Sequence, residues 1–180
     1  MANPPIGNNV WEGPLGVCLF TYAGVDLGKT IEEATIEYVE DIKDIMYAQD
    51  GTQPYDKIPT GQAYLVTANF GQITIDLLAS LMRGVTASGG GNSAKLGRDI
   101  YRSGRENFTH QLILRRVDSD GNASTDLLFR ILFYKAMPII TGNIAYGPDT
   151  QRGIEVQFYC FYDEDNEAFG YSGYASSVGL

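Results

Sequence analysis

Gly61-Gln62-Ala63-Tyr64-Leu65-Val66-Thr67-Ala68-Asn69-Phe70 is the stretch that decides the fold. Tyr64, Val66, Ala68 and Phe70 recur every second residue, the period of a half-buried strand, with Gln62, Leu65, Thr67 and Asn69 distributed over the remainder. C-terminal to it the period changes. Thr74 is placed to cap a helix, Asp76 falls in its first turn, and Ile73, Leu77, Leu78, Leu81 and Met82 make one apolar stripe that stops at Arg83-Gly84. This predicts one amphipathic helix over about 73–83, lying against a sheet. N-terminal to the strand, Tyr47 to Thr60 carries Asp50-Gly51, Pro54 and Pro59 among polar residues, a loop of about a dozen residues and long enough to suggest a task.

Before that loop, Ile31 to Ile45 fits two periods. Ile31, Ala34, Tyr38, Ile42 and Ile45 would form a helical stripe, whereas strand alternation separates Ala34, Ile36 and Tyr38 from Glu33, Thr35, Glu37 and Asp41. The Thr, Ile, Tyr and Val content favours a strand over 33–45 with an acidic far face. Val17 to Tyr22 is a further strand stopped by Ala23-Gly24, and Val25-Asp26-Leu27-Gly28 reads as a turn-like link. Residues 85–106 break pattern and hold a basic cluster, Lys95, Arg98, Arg102 and Arg105. Phe108 to Val117, the turn Asp118 to Asn122, and Leu127 to Ala136 read as a hairpin. Gly153 to Tyr162 alternates and is apolar enough on both sides to be sandwiched. The chain is therefore predicted to be mainly β, one domain over 1–180, with an irregular arm at 1–14 and a loose tail at 163–180.

Composition narrows the function. Thirteen Lys and Arg against 22 Asp and Glu give a formal charge of −9, and 44% of the residues are apolar, which suits a folded domain. The acid argues against sequence-independent DNA or RNA binding, which depends on cations neutralising phosphates. Cys18 and Cys160 are too few and too far apart for a disulfide framework or a zinc site and read as buried thiols. No apolar run approaches the roughly 18 residues of a membrane span, and the first residues lack a basic region followed by an apolar one.

Several motifs invite chemistry. Ala23-Gly24-Val25-Asp26-Leu27-Gly28-Lys29-Thr30 fits a relaxed phosphate-loop pattern, in which backbone N–H groups cradle phosphates, Lys reaches the terminal ones and Thr holds Mg²⁺. Asp26 would put a negative charge inside that cradle, and Val25 and Leu27 stiffen it. His110 stands in a strand with no nucleophile signature nearby, and adjacent pairs such as Glu32-Glu33, Glu40-Asp41 and Asp163-Glu164-Asp165 are split across a strand or spread on a loop. Asp118-Ser119-Asp120-Gly121-Asn122 resembles the opening of a calcium loop but lacks the closing bidentate Glu and is first a hairpin turn. No catalytic residue, metal or cofactor is expected. Many strands, open edges, a long loop and acidic faces favour a subunit that assembles through its edges.

The ordered set Gly24-Val25-Asp26-Leu27-Gly28-Lys29-Thr30, the strand Ala34 to Val39, and Asp50-Gly51-Thr52-Gln53-Pro54-Tyr55-Asp56-Lys57-Ile58-Pro59-Thr60-Gly61-Gln62 leading into a strand and a Leu-rich helix resembles bacteriophage tail tube (major tail) proteins, over roughly residues 15–85. The resemblance implies a β-sandwich or barrel-like fold with a flanking helix. It also implies six copies in a ring, rings stacked into a hollow tube, a tape measure protein in the lumen, and genome DNA passing through without specific binding. In such a protein the Gly-Val-Asp-Leu-Gly element is a turn between strands. The long loop, with Tyr47, Asp50, Gln53, Tyr55, Asp56 and Lys57, would reach an adjacent subunit or ring, as would the arm and the tail. Sheath, baseplate hub and tail terminator are further implied partners, and the place is the virion tail, assembled in the host cytoplasm. Tubes of contractile injection and type VI secretion systems share the implied architecture; a phosphate-loop nucleotide-binding protein is the distant alternative. On the resemblance, an acidic lumen would repel DNA phosphates, and Glu33, Glu37 and Asp41, which alternation puts on one side of a strand, are expected among the residues that face it. Lys95, Arg98, Arg102 and Arg105 would then meet acidic surfaces on a neighbour, or form an ordinary solvated loop.

Overall fold

A computed structural model describes residues 18–46, 55–71, 74–88, 93–96, 108–118, 120–124, 130–142 and 153–173. Strands β1 (Cys18–Tyr22), β2 (Val25–Lys29), β3 (Thr35–Ile45) and β4 (Asp56–Phe70) precede the helix α1 (Ile75–Leu81). After it come β5 (Val85–Ser88), β6 (Ser93–Leu96), β7 (His110–Arg116), β8 (Ile131–Ile140), β9 (Ile154–Phe161) and β10 (Gly170–Ser172). The fold is mainly β, as the alternation predicts. β5 and β6 pair with each other; the rest form one antiparallel sheet ordered β2-β1-β7-β8-β9-β4-β3, with β10 added to β8.

Alternation buries one face of that sheet. Cys18, Phe20 and Tyr22 of β1, Val66, Ala68 and Phe70 of β4, and Ile154, Val156, Phe158 and Cys160 of β9 all point into one core. The sheet rolls so that non-neighbouring strands meet across this core. The Phe20 ring stands edge-on to Phe70 at 5.3 Å and near-parallel to Phe158 at 6.4 Å, although β7 and β8 separate β1 from β9. At one end the roll closes: Thr30 bridges Phe70, and the Ile31 N–H donates to the Asn69 carbonyl at 2.8 Å. The result is barrel-like, with β3 left outside the closure as an overhanging edge. The hydroxyl of buried Tyr22 donates to the Ala136 carbonyl at 3.1 Å and lies 3.2 Å from that of Phe108, tying β1 to β8. Burial also raises the Tyr22 phenol well above its ordinary value.

The helix sits where the pattern puts it. Thr74 accepts the Leu77 N–H at 3.1 Å, Leu77 and Leu81 enter the core, and α1 packs against β2, β5 and β8. The apolar stripe stops there because Met82 is already extended and Gly84 takes φ +74°.

Five expectations change. Val25–Lys29 is strand β2 rather than a turn, because Ala23 (φ +53°) and Gly24 (φ +78°) make the whole reversal by themselves. Two successive positive φ values are what a two-residue hairpin needs. Residues 56–60, expected in the loop, extend β4, since pairing of 56–59 with Ile42–Ile45 gives partners to the backbone groups that face β3. The return strand of the later hairpin, expected over 127–136, is Ile131–Ile140 and runs four residues further than expected, while 127–129 lie outside the described residues. Within 85–106, β5 and β6 form a small hairpin against α1. Residues 163–173, expected as loose tail, are held by a tight turn and by β10. The arm at 1–14 lies outside the described residues.

Candidate functional site: the β3–β4 ribbon and the outer sheet face

β3 pairs with β4 over its whole length, from Thr35 opposite Thr67 to Ile45 opposite Asp56. β9 supports only Tyr64–Phe70 of β4. The remaining eight residues, Asp56–Ala63, therefore run with β3 as a two-stranded ribbon of about 27 Å at the rise of an antiparallel strand. Thr60 is the extra residue of a bulge opposite Asp41 and Ile42, and its hydroxyl donates to the Asp41 carbonyl at 3.1 Å. Bulges bend and twist a ribbon.

Pairing sorts the side chains. Ile36 and Tyr38 lie on the core side, with Tyr38 packed on Tyr64 at 5.2 Å. Further out on that side Gln62 donates to Glu40 at 3.2 Å, and Lys57 pairs with Asp44 at 3.6 Å. Glu37 and Asp41 fall on the opposite, outer face, both exposed, with Leu65 and Gly61 as their cross-strand neighbours. Strand alternation thus puts two of the three expected carboxylates together. Glu33 precedes β3 and takes no part in the ladder, so the expected row of three is a row of two.

Glu155 of β9 joins the same face, opposite Asn69, and its carboxylate accepts the Thr141 hydroxyl at 2.6 Å. Its place between buried Ile154 and Val156 is a period-two signal, yet only the strand order shows that it shares a face with Glu37. The same face carries Leu65 of β4 and Tyr159 of β9 and, beyond β9, Ile139 of β8. The outer side of β9 is consequently not sandwiched, as Tyr159 and Glu155 are exposed.

The distal ribbon is also apolar. Ile42, Met46, Tyr55 and Ile58 remain 46–69% exposed, with nothing of the sheet behind them. Of the loop residues expected to reach a neighbour, Tyr55 stands at the start of β4 while Asp56 and Lys57 are within it. Tyr47, Asp50 and Gln53 lie outside the described residues, as do Arg98, Arg102 and Arg105 of the basic cluster. Lys95 is on β6, exposed.

The phosphate-loop pattern has the wrong local geometry. Its residues form a hairpin and strand, Asp26 accepts the Gly28 N–H at 2.8 Å, and Thr30 leads toward β3 where that loop needs a helix. The Asp118 carboxylate accepts the N–H groups of Asp120 and Asn122 at 3.0 and 2.8 Å, which accounts for that turn as a hairpin device. His110 is exposed on β7, edge-on to Tyr22 at 5.6 Å. Cys18 and Cys160 are buried and do not form a disulfide, and desolvation pushes Cys160 up to about 12, away from reactivity. No helix among the described residues is long and apolar enough to cross a membrane.

No family model and no curated protein sequence matches the chain. Among solved structures, it is similar to the cryo-EM structure of the anti-feeding prophage cap (AFP tube terminating cap). The TM-score is 0.40 and the identity 13%, covering 79% of this chain and 80% of that one.

Proposed function

We propose that the chain is a structural subunit of a phage tail tube, with no catalytic role. Copies form hexameric rings that stack into a hollow conduit, through which genome DNA passes and which a tape measure protein fills beforehand. The observation that carries this reading is the ribbon. Among the described residues the ribbon has neither a third strand nor a backing layer, an arrangement that is marginal in water, and it adds exposed Ile, Met and Tyr side chains. Such a feature is accounted for when a second copy covers it, and β3 as an open edge offers backbone donors and acceptors beside it. The ordered sequence resemblance gives the same answer independently.

The outer face of β3, β4 and β9 supplies the conduit lining in this reading. Glu37, Asp41 and Glu155 repeat around the ring, so the wall repels phosphates and the duplex slides. Lys95 and the basic residues that follow it meet acidic ribbons on a neighbour. Sheath, baseplate hub and tail terminator are partners on the same reading, and the virion tail is its place. Negative-stain imaging of the purified protein tests the proposal: rings or hollow tubes are expected, and a monomer at all concentrations would overturn it.

A further inference from the structure

β9 and β10 run in the same direction along one edge of β8. Phe161 pairs with Lys135 and, nine residues later, Gly170 pairs with Phe133. Between them the chain makes an excursion closed on itself, with the N–H and carbonyl groups of Asp163 and Ala168 exchanging hydrogen bonds of 2.9 and 3.2 Å. Glu167 in this turn takes φ +51°, a left-handed conformation that L side chains resist. The Asp163 carboxylate, 4% exposed, is ion-paired with Lys135 of β8 and accepts the Asn166 amide. Phe169 then packs edge-on against Tyr64 at 5.3 Å and Tyr162 at 5.6 Å. Beyond it the backbone docks, Tyr134 N–H to Phe169 carbonyl at 3.0 Å and Gly173 N–H to Arg130 carbonyl at 2.9 Å. Gly170 lies so close to β8 that a Cβ there would run into the Leu132 carbonyl.

None of the buried apolar side chains of the core comes from 163–173. The segment is held by three strand pairs, by the ring contacts of Phe169 with Tyr64 and Tyr162 and of Tyr171 with Tyr134, and by the ion pair of Asp163 with Lys135, and strain at Glu167 opposes them. Removing one member of a buried pair leaves the other charge without compensation, so docking and pairing stand or fall together. Local openings of this kind occur where few apolar contacts anchor a segment. We infer that residues 163–173 are a latch that leaves β8 as a unit while the barrel stays folded, with Lys135–Asp163 as its catch. This goes beyond the tube reading and does not depend on it.

Amide hydrogen exchange on the intact chain is the test. In the wild type the amides of Tyr134, Ala168 and Gly173 are expected to exchange at least about 100-fold faster than those of Val66 and Phe158, through an opening nearly independent of low urea. Lys135→Met and Asp163→Asn should speed the first group tenfold or more and leave the second unchanged. Glu167→Gly, which relieves the left-handed strain, should slow the first group about fivefold. Wild-type exchange of both groups at one rate, with the urea dependence of global unfolding, would overturn the inference even if the catch variants fail to fold. Equal acceleration of both groups in folded variants would overturn it too.

Discussion

Replacing the apolar side chains of the ribbon together, as Ile42→Thr, Met46→Gln, Tyr55→Thr and Ile58→Thr, separates a surface that serves assembly from one that serves the fold. Thr keeps the strand preference at positions inside the ladder. Full burial of a large apolar side chain is worth about 1.5–3 kcal/mol. Each of these four keeps 46–69% of its surface exposed in the single chain. Covering the remainder adds about 3–7 kcal/mol per ribbon, so the variant should associate about 10²- to 10⁵-fold more weakly. The isolated fold loses little, about 1 kcal/mol or less, and its Tm should stay within about 4 °C of the wild type. Sedimentation velocity across a concentration series, with negative-stain imaging of the same samples and a circular-dichroism melt of the dilute protein, reads both quantities. Rings or tubes appearing at the wild-type concentration would refute the argument that the ribbon is an assembly surface. A collapsed melt would refute the argument that its apolar groups are idle in the single chain.

Other outcomes follow from particular contacts. Tyr22→Phe leaves the Ala136 and Phe108 carbonyls without the hydroxyl between them and should cost about 1–3 kcal/mol in urea unfolding, with ring packing intact. Glu37→Lys with Asp41→Lys should leave assembly in place but make the particles retain short duplex DNA in co-sedimentation at low salt, released as salt rises; no retention would count against a lumen-facing row. The Asp163 carboxyl is held below its ordinary value of 3.8 by the hydrogen bond from Lys135 first and Asn166 second, against desolvation. A folded value lower than the unfolded one means that stabilisation is complete above about pH 4 and is lost as pH falls through the folded value. Tm should therefore drop more steeply below pH 4 in the wild type than in Asp163→Asn. Lys29→Ala should leave Tm in the presence of Mg-ATP unchanged, and a loss of ligand-dependent stabilisation would restore the nucleotide reading.

Alternation made β1, β4, β7 and β9 legible, because a period of two needs no partner to be seen. Thr74 and the stripe of Leu77 and Leu81 made α1 legible for the same reason: capping and amphipathicity are local. Val25–Lys29 was obscured because Gly28 and Asp26 are poor strand formers and only pairing with β1 makes them extended. Residues 56–60 were obscured by Pro59, which an outer ribbon tolerates and a central strand would not. Glu37 and Asp41 share a face by alternation alone, whereas Glu155 joins them through the order β9-β4-β3, which no local pattern encodes. The place of Asp163 is of the same kind, since its cation lies on β8, 28 residues earlier.

The sequence by itself determined a mainly β chain, a capped helix, two cysteines too few and too far apart for a disulfide framework, and a charge of −9 that disfavours binding to phosphates, because each depends on composition or on neighbours within a turn or a strand. Tertiary structure decided how the sheet rolls, where β10 ends up, and that β4 outruns its support to leave a ribbon in solvent. Those depend on which strands lie side by side, and strand order is set by the total burial of Phe20, Phe70 and Phe158 in one core rather than by any segment alone.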